Sequence, residues 1–386
     1  MAKNRRIKVA FCIPNMIIGG VETVFVNTID ELLKNPDLDM TIITHAKIRE
    51  PLYVDWLKTH PELPVYVYYP LCNWFEDLGQ KCCRILRPIR RIMFSLYKKY
   101  RRLIWRHKFQ DIDVFVDYKN FEFFKELRHI NKPKIAWAHS SLSYFESDGM
   151  FSRLPQYTKI VGITDEFVSD FKSNYPEYAD KIVRIYNPID VKTIQAKAKS
   201  EKSPRGKYFC HVSRLVDGKD IKTLLDGFDL FAASHKDIKL YIVGDGDKAH
   251  EFKEYAKTLV SNKQVVFTGA LNNPYGIIKG AIANVLSSEF EGLATVLLEA
   301  IALHVPCIST NCKCGPKEVL LNGRAGLIFD IGDAETLASY MNYVYENPKK
   351  AQKLTDAATR GLKRFDKNLI TDAIFRLVKQ TCKKDR

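Results

Sequence analysis

The 386 residues contain no apolar run of about 20, so no segment reads as a helix spanning a bilayer. The start of the chain has no secretory pattern either: Lys3, Arg5 and Arg6 lead into a β-like segment rather than an apolar helix with a cleavage site. A cytoplasmic protein is expected. Cys-x-x-Cys pairs are missing, and the nine cysteines are an odd number, which disfavours a zinc ribbon and a disulfide framework alike. Cys12, Cys210 and Cys307 fall in strand-like runs, where a small apolar thiol suits a reducing compartment. His304, Cys307, Cys312 and Cys314 crowd together, but Cys307 is expected to point into a sheet, and no metal site is expected there. No fixed-period repeat is visible, which excludes a solenoid.

What is present is an alternation. Strand-like runs at 40–45, 65–69, 112–117, 134–138 and 159–164 alternate with helical patterns, and the rhythm resumes from Tyr208. That order implies parallel sheets covered by helices, an α/β class. The chain is too long for one ordinary core, and 46% hydrophobic residues are enough for two. The polar stretch 191–207, with Lys197, Lys199, Glu201, Lys202 and Pro204, reads as the linker that opens a second domain. The expected domains are therefore 1–190 and 191–365.

Charge is distributed unevenly. Lys81 to Lys108 holds eleven Lys or Arg and no Asp or Glu, and without it the net charge of +15 falls to +4. Ile85, Ile89, Ile92, Met93, Leu96, Tyr100 and Leu103 recur there at three- and four-residue steps, broadened by Phe94, Tyr97, Ile104 and Trp105. Arg87, Arg90, Arg91, Lys98, Arg101 and Arg102 are expected mostly on the other sides. A basic amphipathic helix of this kind suits an anionic membrane surface. The alternative is a core-facing stripe backed by a solvated basic face. No RNP motif or zinc-finger spacing accompanies the charge, so nucleic acid is not expected as a partner.

Glu291 and Glu299 lie eight residues apart in Glu291-Gly292-Leu293-Ala294-Thr295-Val296-Leu297-Leu298-Glu299. If a helix opens at Gly292, both carboxylates line one edge of it beside free backbone N–H groups. Upstream, Gly19-Gly20-Val21-Glu22 follows the strand-like Lys8 to Ile13 and is not Gly-x-Gly-x-x-Gly, so a dinucleotide site has little support. Arg214 closes the run Phe209 to Val212, and Lys219 follows Gly218. Gly244 and Thr268-Gly269 each end a strand-like run. Taken in this order, the motifs resemble the Glu-x7-Glu retaining glycosyltransferases of family 4, whose GT-B fold has two Rossmann-like parallel-sheet domains facing a central cleft.

The resemblance implies an enzyme moving a hexose from a nucleotide diphosphate sugar, UDP-linked, to a bacterial surface glycan or glycolipid such as lipopolysaccharide or capsule. By that resemblance Arg214 and Lys219 neutralise the leaving diphosphate, Glu291 holds donor-sugar hydroxyls, and Glu299 bonds the ribose. Gly19, Gly20, Gly244, Thr268, Gly292, Leu293, Ala294 and Thr295 line the donor. His139, after the run Ile135 to Ala138, acts beside the donor sugar. No metal and no cofactor are implied, and a last helix of about 366–386 would return to the first domain. Ala294 stands where proline is common in the family, and His304 where glycine is. Cys314-Gly315-Pro316-Lys317-Glu318 resembles a run in enzymes of surface polysaccharides. The alternatives are a non-catalytic nucleotide-sugar-binding or membrane-scaffold protein on the same fold, and a sugar-nucleotide epimerase.

Overall fold

The computed structural model describes residues 5–71, 87–147 and 149–383. It divides into two compact units. The first comprises the chain up to Ile163, Asp170–Ile185 and the chain from Thr371 onward; the second comprises Thr164–Ser169 and Tyr186–Ile370. The division at Ile185/Tyr186 falls a few residues before the expected boundary. The expected linker is mostly a helix, Val191–Ser200, because the Asp190 carboxylate caps Thr193 N at 3.0 Å and Ile194 and Ala198 bury one face.

In the first unit seven parallel strands stand in the order β3-β2-β1-β4-β5-β6-β7, where β1 is Ile7–Cys12, β2 Leu38–Thr44, β3 Val65–Val67, β4 Val114–Asp117, β5 Lys134–Ala138, β6 Lys159–Gly162 and β7 Ile182–Arg184. β4 and β5 are buried at every residue, since helices cover both faces of such a sheet and no alternation is needed.

The second unit repeats the plan with six strands in the order β10-β9-β8-β11-β12-β13: β8 Tyr208–Val212, β9 Lys239–Val243, β10 Val265–Gly269, β11 Asn284–Leu286, β12 Cys307–Thr310 and β13 Leu327–Phe329. Helix Ile221–Ala232 begins at an Asp220 cap and buries Leu224, Leu225, Phe228 and Phe231 against this sheet. In both sheets the strand order reverses beside the first strand, between β1 and β4 and between β8 and β11. Such switch points are where open α/β sheets bind ligands, outside the carboxyl ends of the strands.

The basic segment forms helix Arg87–Lys108; residues 81–86, with Lys81, Arg84 and Ile85, lie outside the described residues, as do Cys72, Cys82 and Cys83. Its apolar stripe does not face the core. Ile89, Ile92, Met93, Leu96, Tyr100 and Leu103 are all more than half exposed. The helix docks instead through Phe94, Tyr97 and Trp105, with Trp105 stacked on Tyr68 at 4.8 Å. Arg101 and Arg102 accompany that aromatic face rather than solvent: Arg101 Nε donates to Tyr68 O at 2.9 Å, and Arg102 pairs with the buried Glu126 at 3.3 Å. Aromatic rings fill the gap above β3, and arginines can lie flat along them with their donors satisfied.

Cys12, Cys210, Cys307, Cys312 and Cys314 are buried. Among the described residues no three His, Cys, Asp or Glu side chains converge in a way that would hold a metal ion.

One turn fixes the geometry of the second sheet. Gly244 follows β9 with φ 142°, and a Cβ there would lie 1.8 Å from Ser213 O. Gly244→Ala therefore has to move the backbone that carries Arg214, and a loss of about 1–3 kcal/mol is expected, read as a lowered Tm. An unchanged Tm would contradict the close approach.

Candidate functional site

At the β8/β11 switch point two loops are fastened to each other. The loop after β8 carries Arg214 and, through Gly218, Lys219; the loop after β11 carries Ser287, Ser288 and Glu291. Ser287 Oγ donates to Lys219 O at 2.9 Å, and Glu289 N donates to Gly218 O at 2.9 Å. Gly218 has φ 80°, and the Phe290 ring lies so close that a Cβ would meet it at 2.4 Å. These contacts leave Lys219 Nζ 2.5 Å from Glu291 Oε1, which also accepts from Ser288 Oγ at 2.6 Å. Both charged side chains are mostly buried. Arg214 is exposed and makes no ion pair with the described residues. Beneath it His211 is buried, its Nδ1 paired with Val285 O and its Nε2 with Ser213 Oγ at 2.7 Å. Burial pushes this imidazole down to about 4, so it is a neutral strut for Ser213.

Glu291 and Glu299 do not share a helix edge. The helix is Thr295–Ala302, eight residues long, and Glu291 precedes it in the loop. The reason lies at Ala294, which caps the helix with φ 53° and so turns the chain before the first helical residue. Proline, locked near −65°, cannot hold that conformation. His304 takes φ 58° where the resembled family has glycine, a left-handed position that histidine tolerates better than most residues.

Leu293 and Ala294 are buried, Gly292 and Thr295 partly so. A second loop supports them. Gly315, φ 76°, approaches so closely that a Cβ would lie 2.3 Å from Gly292 O. Cys314 N donates to Glu166 at 2.9 Å, and Glu318 accepts from Tyr186 Oη and from Asp165 N, the latter at 2.9 Å. The motif at 314–318 thus braces the backbone between Glu291 and the helix.

Glu299 stands on the second turn, half-buried, with Tyr275 Oη donating to it at 3.4 Å. Burial pushes its carboxyl up to about 7, opposed by the Tyr275 hydrogen bond and the charge of Lys197. Gly244 N pairs with Gly269 O at 2.9 Å, and Thr268 Oγ1 turns back onto Gly269 O at 2.8 Å, so Thr268 spends its hydroxyl on its own strand end.

The first unit gathers the remaining expected residues at its own switch point. Gly19 caps helix Gly20–Leu32 in an extended conformation that any residue adopts, but a Cβ there would meet Glu22 Oε2 at 2.7 Å. Glu22 is buried and pairs with Lys119, at the end of β4, at 2.7 Å. His139 follows β5, packed on Tyr118 with ring centroids 5.0 Å apart. Neither ring nitrogen has a hydrogen bond of normal geometry among the described residues. Burial pushes the imidazole down to about 3, with the Tyr118 backbone opposing and Lys119 assisting.

Sequence reasoning did not single out the Glu22–Lys119 pair, the Ser287-Ser288 hydroxyls or Tyr275. The first two leave a signal: an acid just past Gly-Gly in a helix otherwise apolar on that face, and two serines ending an apolar strand.

Residues 192–361 match the model of the glycosyl transferases group 1. A lipopolysaccharide 1,6-galactosyltransferase of Salmonella typhimurium is 30% identical over 179 residues, 45% of this chain and 49% of that protein. An N-acetylgalactosaminyltransferase of Campylobacter jejuni, named for a diphospho-undecaprenol acceptor, is 27% identical over 52% of this chain and 54% of its own length. The chain spans about half the length of these relatives. The crystal structure of Anabaena HepE in complex with UDP and glucose superposes with TM-score 0.77 at 16% identity, covering 97% of this chain and 100% of that one. Fold and switch-point geometry agree with these matches: the protein has the GT-B fold, and its residues 192–361 are similar to the glycosyl transferases group 1.

Proposed function

We propose that the protein is a retaining, metal-independent glycosyltransferase that moves a hexose from a UDP-linked sugar to a growing bacterial surface glycan or glycolipid. The observation that carries this reading is the Lys219–Glu291 pair, held at the β8/β11 switch point by two loops hydrogen-bonded to each other. A departing diphosphate needs positive charge where its own charge grows, and a preformed lysine supplies it without reorganisation. Donor phosphate draws Lys219 from Glu291, and the freed carboxylate oxygens accept from sugar hydroxyls. Arg214, exposed beside them, adds a second charge-assisted contact. His139, neutral, offers a single N–H to the donor sugar. The names of the relatives support a surface-glycan acceptor.

Arg214→Ala should lower turnover of a UDP-sugar by about 100-fold or more with Tm retained, Lys219→Ala should lower it as much with a lower Tm because Glu291 is left unpaired, and wild-type transfer should persist in excess chelator. Wild-type rates in both variants would sink the clamp. Activity restored only by a divalent ion would sink metal independence.

Glu299 gives a test that does not depend on turnover. Its carboxyl titrates near 7 in the free protein, and a ribose hydroxyl donating to it favours the charged form. Binding of UDP near pH 7 should therefore release protons, seen as a buffer-dependent heat in calorimetry that Glu299→Gln removes. Equal proton release by wild type and variant would place the ribose elsewhere. The sign for stability follows from the same shift. A folded-state value above the unfolded 4.5 means that the stability carried by the neutral carboxyl is complete below about pH 4.5 and lost as pH rises through about 7.

On this reading the enzyme rests on the inner face of the cytoplasmic membrane through helix Arg87–Lys108. No described helix is long and apolar enough to cross a membrane. This one carries exposed Ile92, Leu96 and Leu103 beside exposed Arg91 and Lys99, the combination that inserts shallowly among anionic headgroups. Ile92→Ser/Leu96→Ser/Leu103→Ser should release the protein from anionic vesicles without lowering Tm, because these side chains are exposed in the fold. Flotation equal to wild type would leave the stripe without this role.

A further inference from the structure

Ser213 and His211 form a hydrogen-bond chain behind the Arg214 and Lys219 clamp. Ser213 stands between β8 and Arg214, and its backbone is held from two sides: its N–H donates to Val243 O at 3.1 Å, and Gly244 approaches its carbonyl where no Cβ fits. Ser213 is half-buried, whereas His211 is fully buried. Three groups are linked in series. His211 Nδ1 is 2.8 Å from Val285 O, and its Nε2 is 2.7 Å from Ser213 Oγ.

The polarity of this chain follows from its inner end. A carbonyl oxygen only accepts, so Nδ1 carries a hydrogen and donates it to Val285 O. Burial keeps the imidazole neutral, with its pKa pushed down to about 4, so Nε2 is bare and takes the hydrogen of Ser213. Arg214 O, 3.0 Å from Ser213 Oγ, is the longer alternative acceptor. The serine hydroxyl of the free protein thus turns its hydrogen toward the imidazole and its lone pairs away from it. Phosphate oxygens also only accept, so an anion held by Arg214 and Lys219 meets lone pairs at Ser213 unless the chain reverses. Reversal needs one proton. Once Nε2 is protonated it donates to Ser213 Oγ, and the serine hydrogen is released for the anion. Among the described charged groups, Lys219 opposes a charge on His211 and Glu291 favours it. An anion at the clamp offsets Lys219 and tips that balance toward the imidazolium.

We infer that Ser213 is a direct ligand of the donor's diphosphate and that His211 is the positioning residue behind it, taking up a proton from solvent as the diphosphate binds. The proton passes from water or buffer to Nε2, the Ser213 hydrogen swings from Nε2 to a phosphate oxygen, and Nε2–H replaces it at Oγ. No bond to phosphorus forms or breaks. The clamp gains a third positive charge only while the anion is there; held permanently, that charge would leave Glu291 to balance two buried cations. Naming the anion a nucleotide diphosphate rests on the glycosyl-transfer reading; the hydrogen-bond chain does not.

Calorimetric titration of UDP into the full chain, in two buffers of different ionisation heat, counts the protons taken up. At about pH 5.5, wild type is expected to take up about half a proton or more beyond Ser213→Ala, and Ser213→Thr, which keeps the hydroxyl, should recover that uptake. UDP and Glu299 titrate alike in all three proteins, so the difference isolates His211. UDP affinity of Ser213→Ala should be about 10-fold below wild type at that pH, and the gap should shrink as pH rises. The sign follows because a ligand that raises a pKa gains affinity that is complete below the free value and lost above the bound one. Equal proton counts in wild type and Ser213→Ala overturn the inference. So does an affinity loss that is the same at every pH, which a merely structural hydroxyl would give. Ring-nitrogen NMR of histidine-labelled wild type reads the chain without any variant: UDP should move Nε2 of His211, recognised by the Nδ1 proton held on Val285 O, from the bare to the imidazolium range. An unmoved resonance overturns the inference as well. If wild type binds no UDP, the glycosyl-transfer reading fails on its own, and the same proton count with inorganic pyrophosphate decides the chain; no difference between wild type and Ser213→Ala there overturns it.

Discussion

The second unit depends on how closely two backbone segments can approach at one strand crossing. Ser287 and Glu289, just past β11, hydrogen-bond the carbonyls of Lys219 and Gly218, and Phe290 lies on Gly218 where no side chain fits. Lys219 and Glu291 are fixed by this contact, which sets one beside the other. An ion pair so placed has two effects. It lowers the cost of holding either charge half-buried, and it makes each partner available only in exchange for the other. A ligand with an anionic part and a hydroxylated part can satisfy both at once; a ligand with one of them leaves the other charge stranded.

Much of the fold was legible from the chain, for a simple reason. Parallel sheets covered on both faces demand uninterrupted apolar strands, and runs such as Phe115-Val116 and Ile135-Ala136 display them openly. Candidate site residues were legible where a charge or a glycine ends such a run, as Lys219 and Gly244 do. The position of Glu291 was not, because spacing alone cannot reveal that Ala294 adopts a left-handed conformation. The helix at 191–200 was hidden for the opposite reason: its lysines look like a linker, and only the Asp190 cap and two buried aliphatic positions give it away.

Helix Arg87–Lys108 shows how one sequence pattern can serve three directions. A hydrophobic stripe normally identifies the buried side. Here Phe94, Tyr97 and Trp105 meet the protein, the aliphatic stripe meets solvent, and Arg91, Lys98, Lys99 and Arg102 line a cavity at the strand ends of the first unit. Aliphatic and aromatic residues were equally apolar on paper. They part because the wide rings of Phe94, Tyr97 and Trp105 fill the irregular space above β3, where Tyr66, Tyr68 and Phe109 already stand.

The backbone at Ala294 also bears on how this protein can be engineered. Consensus substitution, which replaces each departure from a family by its commonest residue, often stabilises a chain because most departures are accidents. Proline would be introduced at 294 by that procedure, and its ring forbids a φ of 53°. The change would reach from the helix cap through Gly292 to the turn at Gly315, whose backbones already touch. A family profile is a record of neighbouring solutions, and at this loop the chain has taken a different one whose parts have to be exchanged together.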